Sequence, residues 1–183
     1  AMTFDVSIME EFISLTNGLT VVIASDEEIL NPLMLGELII KNKVDIMATT
    51  PTYVSNIIDL PQLKKAISQI KVFDFGAEAF PPALYEKIRS VNSDAYIMNG
   101  YGPTEATISC TMKVIDNNKK ITIGIPNANV KAYIVDKDNK LLPDGESGEL
   151  VIAGLGVGRG YVKLPEKTSA VFIKINGEKA YKT

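Results

Sequence analysis

Four short segments in the first hundred residues are rich in β-branched and other apolar side chains. They are Thr20–Ala24, Val44–Thr49, Val72–Phe75 and Ala95–Asn99. Apolar runs of this length, bounded by polar residues or turn formers, are typical of strands buried in a sheet. We therefore predict four strands in this part of the chain.

The segments between these strands have the length and periodicity of helices. Pro32–Lys41 follows Asn31, which is a capping residue before a proline at the first helical position. A second segment opens at Pro81 and Pro82 and repeats apolar residues at spacings of four and three. Strands that alternate with helices favour right-handed crossovers and a mostly parallel sheet with flanking helices. Residues 1–106 are accordingly predicted to form an α/β subdomain.

The pattern changes after about residue 106. Val130–Asp136, Gly148–Ala153 and Val171–Ile175 resemble strands, with turn-forming residues at 136–139 and 143–145. No further helix is predicted in this half. We expect residues 107–183 to form a small, mostly antiparallel β-rich region.

Composition excludes several classes of function. The 183 residues carry a formal net charge of −3 and contain no histidine and one cysteine, Cys110. The absence of histidine excludes Ser-His and Cys-His catalytic pairs and most catalytic zinc sites. The excess of acidic over basic residues argues against nucleic-acid binding. Cys110 is expected to be a small buried side chain. With no apolar run long enough to span a membrane and no signal peptide, we predict a cytoplasmic protein.

Three loops follow predicted strands and would lie at the carboxyl edge of a parallel sheet, where ligands bind in such folds. They are residues 49–53, 76–78 and 99–105. The third combines two glycines and a proline with adjacent hydroxyl and carboxylate groups, Thr104 and Glu105, which suit phosphate and Mg²⁺. On the residues alone this loop is either a simple turn or a nucleotide-binding loop.

Residues 99–105 read NGYGPTE, and this segment resembles the core motif of the adenylation domains of nonribosomal peptide synthetases, in the adenylate-forming ligase superfamily. Three further blocks resemble family motifs in the same order: residues 4–12 (FDVSIMEEF), 148–161 (GELVIAGLGVGRGY) and 179–183 (KAYKT). A secondary likeness is to D-alanine:carrier-protein ligases. The resemblance covers the whole chain.

The resemblance implies a middle fragment of the large N-terminal domain of such an enzyme, with part of its α/β sheet and part of the adjoining β-barrel. The parent enzyme would use ATP and Mg²⁺ to make an aminoacyl adenylate and load it onto the phosphopantetheine thiol of a carrier protein. The family's phosphate-binding loop would precede residue 1, and its ribose-binding Asp and catalytic Lys would follow Thr183. We therefore expect the fragment alone to be inactive. The alternatives are a fragment of an acyl-CoA ligase and a non-catalytic truncated gene product.

The resemblance also implies roles for individual residues. Asp5 would pair with the substrate ammonium group, Thr104 would contact phosphate, and Glu105 would bind Mg²⁺. Adenine and its nucleotide would be held by Gly76, Ala77, Glu78, Asn99, Tyr101, Gly102 and Thr104. The wall of the amino-acid pocket would comprise Val6, Met9, Ala48, Phe73, Phe75, Gly100, Ile108 and Ser109.

Each role has a structural alternative. Asp5 could cap a helix, Glu105 could be a solvated surface acid, and the apolar wall could be plain core. Arg159 is expected to brace the loop against the β-rich part. The wall holds no second charged group, so a small uncharged amino acid is the predicted substrate. Strand edges and faces without partners are expected to make the fragment dimerise.

Overall fold

The computed structural model describes residues 5–117 and 120–183 and contains two compact units. The first consists of the chain up to Gly100 together with Lys113–Gly124, and the second of Tyr101–Met112 and Ile125–Thr183. The chain therefore leaves the first unit at the end of one strand and returns to it in the next. The division of the chain into two domain parts between residues 106 and 107 stays a prediction.

Helices are concentrated in the first unit. In the described part of the chain they are α1 (Val6–Ile8), α2 (Ser14–Thr16), α3 (Asp26–Leu30), α4 (Pro32–Lys41), α5 (Pro51–Ile57), α6 (Lys64–Gln69), α7 (Pro82–Val91) and α8 (Pro165–Val171). A π-helical stretch, Met9–Ile13, joins α1 to α2, and 3₁₀ turns occupy Pro61–Leu63 and Thr104–Ala106. None of the helices in the described ranges is long and apolar enough to cross a membrane.

The strands form two sheets. They are β1 (Ile46–Thr49), β2 (Val72–Phe75), β3 (Tyr96–Tyr101), β4 (Thr111–Val114), β5 (Ile125–Pro126), β6 (Val130–Val135), β7 (Glu149–Gly154), β8 (Phe172–Ile175) and β9 (Glu178–Lys182). One sheet has the order β1-β2-β3-β4-β5, with β1, β2 and β3 parallel and β4 and β5 antiparallel to each other. The other has the order β6-β7-β9-β8 and is antiparallel throughout.

Local sequence explains where the helices of the first unit begin. The Asn31 side chain accepts a hydrogen bond from the Leu33 N–H at 3.1 Å, and Pro32 occupies the first turn of α4. The Thr50 hydroxyl accepts from the Tyr53 N–H at 3.3 Å in the same way at the start of α5. A side-chain cap satisfies amides that the first turn leaves unpaired, and proline there costs no hydrogen bond.

The core of the first unit lies between one face of its parallel strands and the helices. Phe73, Phe75 and Ile97 from the strands are fully buried together with Leu63 and Ile88 from the helical side. The crossover connections place helices over the sheet, and their apolar faces exclude water from the strand side chains beneath them. This packing confirms the predicted α/β architecture.

The second unit has its own smaller core on the antiparallel sheet. Val135, Val151, Ala153, Ile175 and Ala180 are buried together. Their positions alternate along β7 and across to β6, β8 and β9, as expected for a sheet with one covered face. The four strands form an open sheet within the described residues, which fits part of a barrel.

Two sequence-based predictions are wrong. Thr20–Ala24 is not a strand, because it pairs with no strand in the ranges that the structure describes, and β-branched composition cannot replace a hydrogen-bonded partner. A helix does follow residue 106: α8 begins with a proline in its first turn. Its seven residues, PEKTSAV, have no apolar periodicity, so it escaped detection. The other strands and both predicted helices are confirmed to within three residues at each end.

Candidate functional site

Two predicted nucleotide-binding segments of the first unit lie side by side. Strands β2 and β3 are parallel with Phe75 opposite Asn99, so the loop that starts at Gly76 emerges beside the end of β3. A Cβ atom placed on Gly76 would lie 3.7 Å from the carbonyl oxygen of Gly100. The two segments therefore meet at the carboxyl edge of the parallel strands, as the sequence predicts. They comprise Gly76, Ala77 and Glu78 on one side and Asn99 and Gly100 on the other.

The 76–78 loop is tied down at both ends. The Gly76 N–H donates to the Thr49 carbonyl at 3.3 Å, and Ala77 adopts a positive φ of 66°. The Thr52 N–H, in the first turn of α5, donates to the Glu78 carboxylate at 3.0 Å. Hydrogen bonds from the Thr52 side chain and from its N–H lower the pKa of Glu78. A left-handed alanine is uncommon, and such strain is found where the surrounding structure holds a functional loop in place.

Asn99 is the buried polar residue at the end of β3. Only 5% of it is exposed, and its amide nitrogen donates to the Thr122 carbonyl at 3.0 Å. The carbonyl end of the amide takes no part in this bond. Asn99 is therefore oriented with its acceptor oxygen as the end that could receive a hydrogen bond from an exocyclic amine.

Asp5 does not act as a side-chain cap. It precedes α1 but makes no side-chain capping hydrogen bond. Its Oδ2 atom is buried and has no hydrogen-bond partner among the described residues. A buried carboxylate oxygen without a partner is costly, and a cationic ligand would relieve that cost. The predicted pocket residues Val6 and Met9 follow on the same helical stretch and are partly exposed.

The two phenylalanines of β2 lie in the core. Phe73 and Phe75 are fully buried, and their ring centroids are 5.8 Å apart. The Phe75 and Phe80 rings pack edge to face, with their centroids 5.0 Å apart. Since side chains alternate along a strand, Asp74 points to the opposite face. The register sets Asp74 between Ala48 and Met98, so Asp74 shares a face with the predicted pocket residue Ala48.

Sequence reasoning missed Asp74. Burial raises the pKa of its carboxyl group. Burial also raises the pKa of Glu10, and the carboxylates of Glu11 and Asp74 raise it further. The alternation Phe-Asp-Phe contained the signal, because one polar residue between two buried aromatic rings must face away from their core.

In the second unit, the loop from Tyr101 to Cys110 folds back on itself. The Cys110 N–H donates to the Tyr101 carbonyl at 2.7 Å, and a Cβ atom on Gly102 would lie 2.4 Å from the Ile108 carbonyl oxygen. Gly102 is therefore required for the close approach of two backbone segments. Ile108 is partly buried. The Asn127 side-chain amide donates hydrogen bonds to the Ser109 carbonyl at 3.0 Å and to the Ser109 hydroxyl at 3.2 Å.

Thr104 and Glu105 lie in the 3₁₀ turn Thr104–Ala106 of this loop. Thr104 is exposed and Glu105 is half-buried. The Glu105 carbonyl accepts from the Gly158 N–H at 2.7 Å, and its carboxylate oxygen Oε1 accepts a hydrogen bond from the Tyr161 hydroxyl. Glu105 is therefore a held carboxylate rather than a freely solvated surface acid.

Arg159 does not make the bracing contacts predicted for it. It is exposed, and its side chain forms no hydrogen bond or ion pair with any residue that the structure describes. Gly158 and Tyr161 on either side of it hold the loop instead. A long cationic side chain is well solvated at the surface. The N–H of Gly158 can approach the 104–106 turn closely because glycine has no side chain.

A metal ion would depend on few protein ligands here. In residues 5–117 and 120–183 there is no group of three or more His, Cys, Asp or Glu side chains that could hold one. Mg²⁺ is commonly bound through one or two carboxylates together with substrate phosphates and water. One oriented carboxylate at Glu105 with the Thr104 hydroxyl next to it fits that mode of binding.

Comparisons with known proteins show the family of this chain. The sequence profile of AMP-binding enzymes matches residues 1–162. The chain is 33% identical over 99% of its length to D-alanine–D-alanyl carrier protein ligase of Bacillus velezensis, and 34% identical over its whole length to gramicidin S synthase 2 of Brevibacillus brevis. It spans 37% and 4% of those proteins, respectively.

Solved structures with the same fold include nonribosomal peptide synthetases. A four-domain synthetase bound to AMP and glycine is 28% identical over the whole of this chain, with a TM-score of 0.90 and 14% of its own length covered. The AMPPNP-bound form of a second synthetase is 27% identical over 98% of this chain, with a TM-score of 0.90 and 20% of its length covered. By sequence and by fold, the chain belongs to the family of AMP-binding enzymes.

Proposed function

We propose that this chain is part of an enzyme that uses ATP to convert an α-amino acid into an aminoacyl adenylate and then transfers the aminoacyl group to the thiol of a carrier protein. Membership in the AMP-binding family and likeness to a carrier protein ligase support the reaction class. The chain spans about a third of that ligase, so the activity is proposed for the full-length protein.

The observation that carries the amino-acid assignment is the buried Oδ2 atom of Asp5, which has no hydrogen-bond partner within residues 5–117 and 120–183. An α-ammonium group donates three hydrogen bonds and would neutralise this carboxylate. An acid without the amine would leave the buried charge unpaired, and such sites discriminate strongly against substrates that lack the missing group. Asp5 would have no such role in an acyl-CoA ligase, which is the alternative from the same superfamily.

The adenine-binding proposal rests on the edge formed by Gly76, Ala77, Glu78 and Asn99. The 76–78 loop follows the end of β2 and is held by Thr49 and Thr52, and the Asn99 amide is oriented by Thr122. Tyr101 at the end of β3 supplies an aromatic ring, and Gly102 keeps the following backbone compact. The Asn99 amide has the hydrogen-bonding character that the edge of a purine needs, and an aromatic ring offers a face on which a purine stacks.

In the proposed first step, a carboxylate oxygen of the amino acid attacks the α-phosphorus of ATP, and the bond to pyrophosphate breaks. Thr104 would donate its hydroxyl hydrogen to a phosphate oxygen. Mg²⁺ held by Glu105 would supply positive charge that offsets the charge on the phosphates. In the second step the carrier phosphopantetheine thiolate attacks the carbonyl carbon, and AMP leaves. Catalysis of this kind depends mainly on positioning and charge stabilisation.

A small, uncharged amino acid is the proposed substrate. Asp74 adds one carboxyl group to the face that carries Ala48, and burial raises its pKa and so disfavours its charged form. One methylene group more or less in an apolar pocket changes the binding free energy by only about 1–3 kcal/mol. The enzyme would therefore discriminate only weakly between related small amino acids.

The test is amino-acid-dependent exchange between ATP and pyrophosphate, measured on the full-length protein with a panel of amino acids. Asp5→Asn keeps the shape and removes the charge, and we expect it to abolish most exchange. The exposed Asp26→Asn is the matched control and should leave exchange unchanged. Undiminished exchange in Asp5→Asn would sink the assignment, and a preference for an amine-free acid would move the protein to the acyl-ligase class. A strong preference for Lys, Arg, Asp or Glu would overturn the proposal of a small, uncharged substrate.

The second alternative is a non-catalytic product. The 183-residue chain expressed by itself is expected to show no exchange, because it spans about a third of the length of a related ligase. Misplaced or missing groups can each cost about 100-fold in rate. Exchange by this chain that exceeds a Glu105→Ala control would contradict the expectation.

A further inference from the structure

We propose that Tyr161 is a positioning residue for Glu105: its hydroxyl donates a hydrogen bond to Oε1 and thereby directs the other carboxylate oxygen, Oε2, toward Mg²⁺. The inference rests on the proposed function, because it assumes that Glu105 binds the metal ion. Both residues belong to the second unit, 56 positions apart in the sequence.

The backbone around Glu105 is held by the segment that ends in Tyr161. The Gly158 N–H donates to the Glu105 carbonyl at 2.7 Å, and the Thr107 hydroxyl donates to the Gly156 carbonyl at 2.6 Å. A Cβ atom on Gly156 would lie 2.9 Å from the Ala106 carbonyl oxygen. These contacts fix the main chain at Glu105 and at the two residues that follow it, which leaves the side-chain rotamer of Glu105 as the main remaining freedom.

Tyr161 is itself anchored, so its hydroxyl has a defined position. Its N–H donates to the Thr168 hydroxyl oxygen at 2.9 Å, and the Thr168 hydroxyl donates to the Leu164 carbonyl at 2.9 Å within α8. Its ring meets Phe172 edge-on, with centroids 5.6 Å apart. A side chain fixed at its backbone and along its ring can orient the group that it touches.

The chemistry of Mg²⁺ makes such orientation matter. The ion demands near-octahedral geometry with oxygen ligands at about 2.0–2.1 Å, so a freely rotating glutamate would bind it poorly. Groups that hydrogen-bond to a metal ligand typically change metal affinity or activity by about 10–100-fold.

The test compares Tyr161→Phe with wild type in the full-length protein. The substitution keeps the ring and removes only the donor. We expect the Kd for Mn²⁺ or Mg²⁺, measured by calorimetry with a non-hydrolysable ATP analogue present, to rise about 10–100-fold. In the exchange assay the KM for Mg²⁺ should rise while kcat at saturating Mg²⁺ recovers. Tyr96→Phe, on a residue 65% exposed, is the matched control and should change neither quantity.

The outcomes separate this inference from the proposed function. If wild type performs exchange and Glu105→Gln loses metal affinity but Tyr161→Phe keeps it, the positioning role is wrong and the proposed function stands. If wild type shows no metal-dependent exchange with any amino acid, the proposed function is wrong, and the role of Tyr161 that rests on it is wrong as well. A loss of kcat with an unchanged Mg²⁺ dependence would make Tyr161 merely structural.

A second variant covers the case in which Tyr161→Phe does not fold. Thr168→Val removes the hydroxyl that accepts from the Tyr161 N–H and should loosen the same ring. We expect a smaller rise in the metal Kd, in the same direction. Unchanged metal affinity in a folded Thr168→Val protein would overturn the proposal.

Discussion

The side-chain amide of Asn99 donates a hydrogen bond to the main-chain carbonyl of Thr122 at 3.0 Å, across 23 positions of the chain. Asn99 lies in β3, two residues before its end, and Thr122 lies in the stretch that returns to the first unit. The bond therefore couples the orientation of a proposed adenine-binding side chain to a segment that is distant in sequence. It also determines which end of the amide remains available for a ligand.

Replacing Asn99 by leucine should destabilise the protein and weaken ATP binding. The carbonyl of the partly buried Thr122 would lose its partner, and leaving an acceptor unpaired in a buried site costs about 1–3 kcal/mol. Urea unfolding measures the first effect, and the KM for ATP in the exchange assay measures the second. Asn42→Leu removes a comparable 2.9 Å bond to the Leu38 carbonyl at an exposed site and should have little effect on either. Equal effects of the two substitutions would contradict the assigned role.

Gly102→Ala should be much less stable than Gly76→Ala. The new Cβ at position 102 would lie 2.4 Å from the Ile108 carbonyl oxygen and 2.8 Å from the Cys110 nitrogen, so the backbone would have to move. At position 76 the nearest atom is at an ordinary 3.7 Å. Overpacking of this kind typically costs about 1–3 kcal/mol. Thermal unfolding of the two variants provides the measurement, and similar melting temperatures would disprove the predicted crowding.

Asp74→Asn should stabilise the protein at neutral pH. Burial raises the pKa of Asp74 in the folded state above its unfolded value of about 3.9, so ionisation is less favourable in the folded protein. The stability that the protonated form contributes is fully present below the unfolded pKa and is lost as pH rises through the folded pKa. The advantage of asparagine should therefore grow from pH 4 to pH 7 in urea unfolding. A constant difference across that range would rule out the explanation.

Cys110 should react slowly with thiol reagents until the protein unfolds. The side chain is fully buried, and burial raises its pKa to about 11, so little thiolate is present near neutral pH. Because Cys110 is the single cysteine, a chromogenic disulfide reagent reports on it alone. We expect one equivalent to react promptly in urea and only slowly in buffer at pH 8. Prompt reaction of the native protein would show that this part of the second unit is open.

The isolated 183-residue chain should self-associate. Several large apolar side chains of the first unit are exposed, including Phe12 at 63%, Ile23 at 75% and Leu30 at 83%. Exposed apolar patches commonly mark surfaces that contact another protein. Light scattering at increasing concentration should show a dimer or larger species, and Phe12→Glu should shift the equilibrium toward monomer. A monomer at all concentrations would contradict this expectation.

Features set by neighbouring residues were predictable from sequence. Helix α4 begins and ends where its Asn31 cap and its apolar periodicity predict, and β2 spans the predicted Val72–Phe75. The loops at the carboxyl edge follow from strands alternating with helices, and motifs within them identified the family. In each case the signal lies within about ten residues, which is the range over which capping, proline placement and side-chain alternation act.

Only tertiary structure decided which side chains face the core and which loops hold one another. Helices packed on one face of β2 bury Phe73 and Phe75 and leave Asp74 beside Ala48. Thr20–Ala24 has a strand-like composition but no partner among the described residues, so it forms no strand. The contact between Glu105 and Tyr161 joins positions 56 apart, and nothing in either local sequence specifies it. Such contacts depend on how distant segments pack, because burial and hydrogen bonding act between whichever groups the fold brings together.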